Sequence, residues 1–562
     1  MHYFKSNIFK TALTFLGFVV VFGLIFLPYP LNNSFVGNID IWFYVWQWND
    51  LYNQFTNSVV AGQVLYPEEN YSALVGSPLG YGILYIPIKS IFRDDIWTMY
   101  AMLVSILSIN AFVFSAILQA LKIPLKIAVV LAFCLFANNF VLSNLENFNA
   151  YTFYPGLIAI FCLIKSESLN RSPKYILVFF AGVFAGLQVY YSIYLFLLQA
   201  ILWIGLLLSK KINQKDIVTL FVFLMSLILV TVPFFSQRQE MSDYLSDPSL
   251  MQMLLNSNES HSIYFFKDWF RVNVGNVVYP PMNDIDNPWR YGARSAFLGV
   301  STYILVAFSL FYFVSKRKWQ LLICIGAIVL LGMLVSTGPM LRTNYYALKT
   351  PIGWINNWLP STLVIRHLFR AHLITIIGLL LLIGFCLKAI NAENTKRVNG
   401  VLVLFVLLFI IENIPFNSKK YNSKVYTKPP EELMTKLSKI QKESKLFFMP
   451  SCHILESEQQ ITDGFNPMNR EYIYMVWKNY LPYHIYNGRM GYLTNTSYDN
   501  TLLTCDLTHE NYKELMDKNE IDYFVLVRDF VDQPFLENTL PTVLKETNLV
   551  GESGRIQIHQ PK

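Results

Sequence analysis

Four side chains stand out as able to do chemistry: the carboxylates of Asp40 and Asp50 and the guanidinium groups of Arg366 and Arg370. Asp40 sits in the stretch Gly37-Asn38-Ile39-Asp40-Ile41-Trp42-Phe43-Tyr44-Val45-Trp46-Gln47-Trp48-Asn49-Asp50. From Asp40 onward, Tyr44, Trp48, Leu51 and Phe55 recur at helical spacing, which predicts a helix with Asp40 at its start. An Asp in that place satisfies orphan backbone N–H groups as an N-cap. A carboxylate partly withdrawn from water at the same place can also serve as a general base, because desolvation raises its proton affinity. The two roles are compatible. Asp50 lies ten residues further on, nearly three helical turns away. It reads first as a solvated residue at a helix end and second as a further acid for the same chemistry.

Arg366 and Arg370, in Arg366-His367-Leu368-Phe369-Arg370, are four residues apart and share a face if helical. Arginine suits bidentate contact with phosphate, and the pair stands where a polar loop meets an apolar run, at the depth of a lipid phosphate. Snorkelling to lipid headgroups is the alternative. His367 and His372 read as structural or interfacial, and Lys89 and Arg93 as flanking charges.

These residues need a frame to hold them, and composition says what kind. The chain has 562 residues, 54% hydrophobic and only 14% charged, with a mean hydropathy of +0.37. A soluble protein carries about 25% charged residues. Apolar stretches run at approximately 9–28, 96–120, 125–142, 150–166, 174–190, 192–209, 216–236, 296–315, 319–338, 370–390 and 398–415. The predicted fold is mainly α, a polytopic transmembrane helical bundle of about eleven spans. With a cytoplasmic N-terminus, the inner segments carry Lys5 and Lys10; Lys122 and Lys126; Lys165, Arg171 and Lys174; Lys210, Lys211 and Lys215; Lys316, Arg317 and Lys318; and Lys388, Lys396 and Arg397. All are basic, as the positive-inside rule requires. Arg366 and Arg370 fall on the opposite side, against that trend. The stretch 174–209 is either two short spans or a broken re-entrant pair, with Tyr190, Tyr191 and Ser192 at its middle. No cleavable signal is legible in the long first apolar run. The net charge of +7 is scattered in small clusters, so no nucleic-acid groove is indicated. Three Trp within residues 42–48 predict that the Asp40 helix lies in the membrane interface.

The expected domains are therefore 1–415, a membrane domain with a long first outer loop at 29–95, and 416–562, a small extracytoplasmic α/β domain. In the latter, strands are predicted at 445–450, a short apolar run ending in Pro, 521–527 and 555–559, and helices at 508–520 and 540–547. No nucleotide fingerprint is present, and adjacent Ser451, Cys452 and His453 do not by adjacency make a triad. Cys452 and Cys505 are the only tail cysteines and could pair in an oxidising compartment. Asn283-Asp284-Ile285-Asp286-Asn287 offers hard oxygen donors for a divalent cation. Its spacing matches no EF-hand loop, and a turn with surface acids is the plainer reading.

The order of these features resembles the GT-C superfamily of membrane glycosyltransferases, and more closely a group of bacterial membrane proteins with GT-C-like architecture. The residues that carry the resemblance are Gly37 to Trp48 after the first span, Tyr66-Pro67, Asn144-Leu145-Glu146-Asn147, the Gly- and Tyr-rich run from Gly182 to Tyr194, Arg366 to Arg370, and Tyr486-Asn487-Gly488-Arg489 in the tail. The chain departs from the group's pattern where Asn38-Ile39 splits an adjacent Gly-Asp pair and where Leu368 and Phe369 replace small or Pro residues. The resemblance implies an inverting transfer from a polyprenyl-phosphate sugar donor to an extracytoplasmic glycan, lipid or protein acceptor. It implies Asp40 as base, Asp50 as a weaker candidate, and a bacterial inner membrane location with membrane lipid as partner. Two other classes stay open: a non-catalytic membrane assembly scaffold of the same architecture, and a lipid or polysaccharide transporter. The near absence of ionisable groups within the spans counts against the transporter.

Overall fold

The computed structural model describes residues 2–33, 35, 40–56, 79–143, 145, 148–192, 195–196, 199–200, 202–203, 214–240, 298–336, 340–342, 347–349, 368–413, 428–449, 469–478, 480–486, 508–531 and 535–562. The chain folds as two compact units, one of Met1–Phe26 with Leu103–Ser418 and one of Leu27–Met102 with Lys419–Lys562.

The first unit is helical. Among the described residues of the whole chain, eight helices are long and apolar enough to cross a membrane: Phe9–Phe26, Asp95–Ala120, Leu125–Leu142, Phe148–Ser166, Ser172–Tyr191, Ile217–Ser236, Trp319–Ser336 and His372–Glu393. The chain is thus a multi-pass membrane protein. Val300–Ser315 is apolar but shorter, and Thr395–Asn413 carries Lys396, Arg397 and Glu412 near its ends. The expected span at 192–209 falls largely outside the described residues. Its predicted break is visible from one side: the helix Arg171–Tyr191 stops at Ser192, whose backbone is extended.

Close helix packing in this unit depends on small residues. Gly182 and Gly186 lie one turn apart facing the helix Gln214–Glu240. A Cβ at Gly182 would stand 2.5 Å from the Phe223 carbonyl oxygen, and one at Gly186 2.7 Å from Val230 Cβ. Between apolar helices, where no hydrophobic force acts, such close approach is what gives cohesion. The irregular stretch before the helix Tyr154–Ser166 needs other partners for its backbone. The Asn110 amide donates to the Tyr151 carbonyl at 2.7 Å and accepts from the Phe153 N–H at 3.1 Å. Gln188 likewise donates to the Thr152 carbonyl at 2.9 Å and accepts from the Gly156 N–H at 3.1 Å. Non-helical backbone is tolerated at membrane depth only where protein supplies such bonds.

The second unit contains a five-stranded mixed sheet. Its strands are β1 (Lys445–Met449), β2 (His484–Ile485), β3 (Tyr523–Val527), β4 (Thr547–Ser553) and β5 (Ile556–Pro561), in the order β2-β1-β3-β5-β4. β1 pairs parallel with β2 and β3, whereas β5 pairs antiparallel with β3 and β4. Leu446 pairs with Tyr523 and Met449 with Leu526. β1 and β3 are almost wholly buried apolar runs, as strands covered on both faces must be. Phe447, Phe524, Leu526 and Leu515 of the helix His509–Lys518 share one core. β4 is an edge strand, polar and largely exposed, and no sequence periodicity announces it.

Three helices from the first loop belong to this unit or lead out of it: Asp40–Phe55, Leu79–Phe92 and Asp95–Ala120. The first of them corrects an expectation. Phe43, Tyr44, Trp46 and Trp48 are all buried. Trp48 packs on Tyr44, Tyr81 and Tyr85, with ring centroids 5.2, 4.8 and 5.4 Å apart. The aromatics therefore build a protein core rather than an interfacial belt. Residues 43–49 are buried on every side, whereas an interfacial helix has one apolar face only.

Candidate active site

A buried network in the second unit centres on one carboxylate. Asp95 opens the helix Asp95–Ala120, but the capping is done by its neighbour. The Asp94 side chain accepts from the backbone N–H groups of Ile96 and Trp97 at 2.9 and 3.0 Å, the usual N-cap bonds. Asp95 turns into the protein instead, its side chain 1% exposed. It is ion-paired with Lys89 of the helix Leu79–Phe92. It accepts from the Asn49 amide at 2.8 Å and from the Tyr480 hydroxyl at 3.1 Å. Tyr85 donates in turn to the Asn49 carbonyl oxygen at 2.7 Å. Burial pushes the Tyr85 and Tyr480 hydroxyls up, and the Asp95 charge adds to it, so both remain donors.

One residue along from Asn49, Asp50 is half-buried and accepts from Gln54 at 2.8 Å. Burial raises its pKa, opposed by the positive charge of Lys478 and by the Gln54 bond. Lys478 ends the helix Asn469–Lys478 and is buried. Desolvation pulls it down to about 8, with Asp50 pulling the other way. An acid shifted up beside an amine shifted down is the electrostatic signature of sites that move protons, although structural pairs share it.

The Lys478 shift has a measurable sign. Between pH of about 8 and the ordinary lysine value near 10.5, the unfolded chain holds the proton that the folded chain has lost. Stability contributed by this group therefore rises with pH across that window, and the full burial penalty applies below it. Lys478→Met should melt higher than the parent near pH 7. That gap should close by up to ~3 kcal/mol as pH approaches 10, at about 1.36 kcal/mol per pKa unit. Thermal melts of the detergent-solubilised chain at several pH values would check it. A gap that is constant with pH would show that Lys478 keeps its normal titration.

Of the residues singled out by sequence, Asp40 is the first residue of its helix, as predicted, and its side chain lies outside the described residues. Asp50 is not the solvated helix-end residue that reads most simply from sequence. Lys89, taken for a flanking charge, is buried in an ion pair. Arg366, Cys452, Cys505 and the Asn283–Asn287 segment lie outside the described residues. Arg370 belongs to the other unit. It sits in the short turn Leu368–Ala371 that leads into the helix His372–Glu393 and is only 3% exposed. Snorkelling into the headgroups would leave it open, so burial favours an internal role. His372 is also buried, its ring 5.5 Å from Phe140.

Asp95, Lys478 and Tyr480 were not legible as site residues. Each is polar in a segment of ordinary composition, and Tyr480 meets Asp95 across 385 positions of sequence.

No family model matches the sequence, and no curated protein does. Among solved structures, the chain is similar to the arabinofuranosyltransferase AftD from mycobacteria. The TM-score is 0.57 at 11% identity, over 98% of this chain and 40% of AftD. The chain thus spans about two fifths of that protein's length. Looser similarities, at TM-scores of 0.42 and 0.40 and 11% identity, are to the oligosaccharyltransferase AglB from Archaeoglobus fulgidus and to ArnT from Cupriavidus metallidurans. They cover 92% of this chain and 69% of AglB, and 97% of this chain and 97% of ArnT. The helical membrane unit, the long first loop and the small C-terminal sheet together make this a GT-C-like fold.

Proposed function

We propose that this protein is a membrane glycosyltransferase that moves a sugar from a polyprenyl-phosphate donor to an extracytoplasmic acceptor with inversion. The observation that supports this most is the GT-C-like fold over 98% of the chain, with Asp40 opening the first helix after the helix His2–Phe26 and the single turn Pro28–Leu31. In the proposed step the Asp40 carboxylate takes the proton of an acceptor hydroxyl or amide. The freed lone pair attacks the anomeric carbon from the face opposite the phosphate. The bond from that carbon to the phosphate oxygen breaks, and the phosphate keeps the electron pair on its lipid carrier. Arg366 and Arg370 neutralise the charge that develops there. Asp50 is the second candidate for base, its proton affinity already raised by burial. On this reading the tail and the first loop face the outside of a bacterial inner membrane, with the N-terminus in the cytoplasm.

The direct test is transfer of a labelled sugar from polyprenyl-phosphate donors by the full chain in liposomes, with Asp40→Asn as control. A companion test concerns the donor. Arg366→Gln and Arg370→Gln should each raise the donor KM by roughly 10–100-fold, the worth of one charge-assisted hydrogen bond. Arg370→Lys should recover only part of it, since an ammonium lacks the planar fork. Unchanged donor affinity in both Gln variants would remove the arginines from the proposed site.

A further inference from the structure

We propose that Asp95 is a positioning residue: its buried carboxylate is the clamp through which the C-terminal segment holds the first-loop helix that carries Asp40 and Asp50. This rests on the transfer reading for its catalytic meaning, but the clamp itself stands on geometry. Three separate pieces of chain end on the same carboxylate: Asn49 from the Asp40–Phe55 helix, Lys89 from the Leu79–Phe92 helix, and Tyr480 from the tail. The two carboxylate oxygens divide the work. One takes Lys89 and Asn49, and the other takes Tyr480.

Helix capping does not explain why Asp95 is charged, because Asp94 already fills that role. Stability alone explains it poorly as well, since a buried ion pair gains little over well-packed apolar side chains of similar size. What a buried, fully bonded carboxylate does supply is a unique arrangement, because any shift of the three partners strands a charge in the interior. The shift would be felt at the acids. Asn49 adjoins Asp50, and Tyr480 lies two residues beyond Lys478, whose charge acts on Asp50. The same tail segment therefore fixes both the place of the helix and the electrostatics of its second acid.

Tyr480→Phe is the informative variant, because it removes one hydroxyl and keeps the ring. In the full chain in nanodiscs, amide hydrogen exchange over 43–55 should speed up by about tenfold, the loss of one bond to a charged group. Exchange over 372–393 should not change. For sugar transfer, kcat should fall by roughly tenfold with the donor KM within about twofold, since the lost interaction orients the base rather than the donor. Tyr85→Phe, which removes the hydroxyl bonded to Asn49, should give the same pattern and serves if Tyr480→Phe does not fold. Unchanged exchange over 43–55 would overturn the clamp. Faster exchange with unchanged kcat would overturn its role in placing the acids. A parent chain that transfers no sugar would refute the function proposed above, and the exchange result would then decide the clamp by itself.

Discussion

Replacing Asp40 with Asn should lower sugar transfer by roughly 10²–10⁴-fold, the usual contribution of a positioned general base. The substitution separates two roles that coincide at one residue. Asn caps a helix about as well as Asp, so the helix Asp40–Phe55 should persist and its buried aromatics should keep the unit folded. What Asn cannot do is accept the acceptor's proton. Circular dichroism and melting should therefore match the parent while turnover collapses. Full activity in Asp40→Asn would make the residue a cap and pass the base to Asp50, or to Glu68 or Glu69, the two acids that follow Tyr66-Pro67 in the sequence. Asp50 would then be first in line, because burial has already raised its proton affinity.

The second large effect belongs to Asp95. Asp95→Leu leaves the Lys89 ammonium buried with its counter-charge gone. Breaking one side of a buried ion pair in this way costs about 3–5 kcal/mol. The loss should appear as early proteolysis within 27–102 and 419–562 and as a lower melting temperature. Pairing it with Lys89→Leu removes the orphaned charge and should recover most of that loss, because two apolar side chains can pack where the pair stood. If Asp95→Leu melts like the parent, water reaches the Lys89 ammonium and the network is not dry. Recovery without the double change would point the same way.

Sequence reading reached the fold through patterns that are local. Apolar runs separated by basic clusters gave the membrane helices. The runs Lys445–Met449, Tyr523–Val527 and Ile556–Pro561 are strands because their apolar content exceeds what a short exposed segment carries. β4 escaped because an edge strand needs no apolar face, and Thr547–Ser553 shows none. The Trp-rich helix was assigned the right residues and the wrong surroundings. Aromatic content alone cannot tell a lipid headgroup from Tyr81 and Tyr85. Of the candidate residues, Asp40 stands out by its place at a helix start and Arg370 by its place at the head of an apolar helix. Asp95 is not singled out by the sequence, and nothing near it names Tyr480 as its partner.

The clamp also sets an order of events during synthesis. Lys89 lies 6 residues from Asp95 and Asn49 lies 46 away, so those contacts can form as soon as the first hundred or so residues have been made. Tyr480 is 385 residues later. At about 5–20 residues per second, translation needs roughly 20–80 s to deliver it. Throughout that interval the surface of the Asp40–Phe55 helix that packs on Asn469–Lys478 stands bare while the remaining spans are threaded into the bilayer. The first part of the chain to emerge is among the last to mature, and a ribosome that stalls before the tail leaves an aromatic helix open to quality-control proteases.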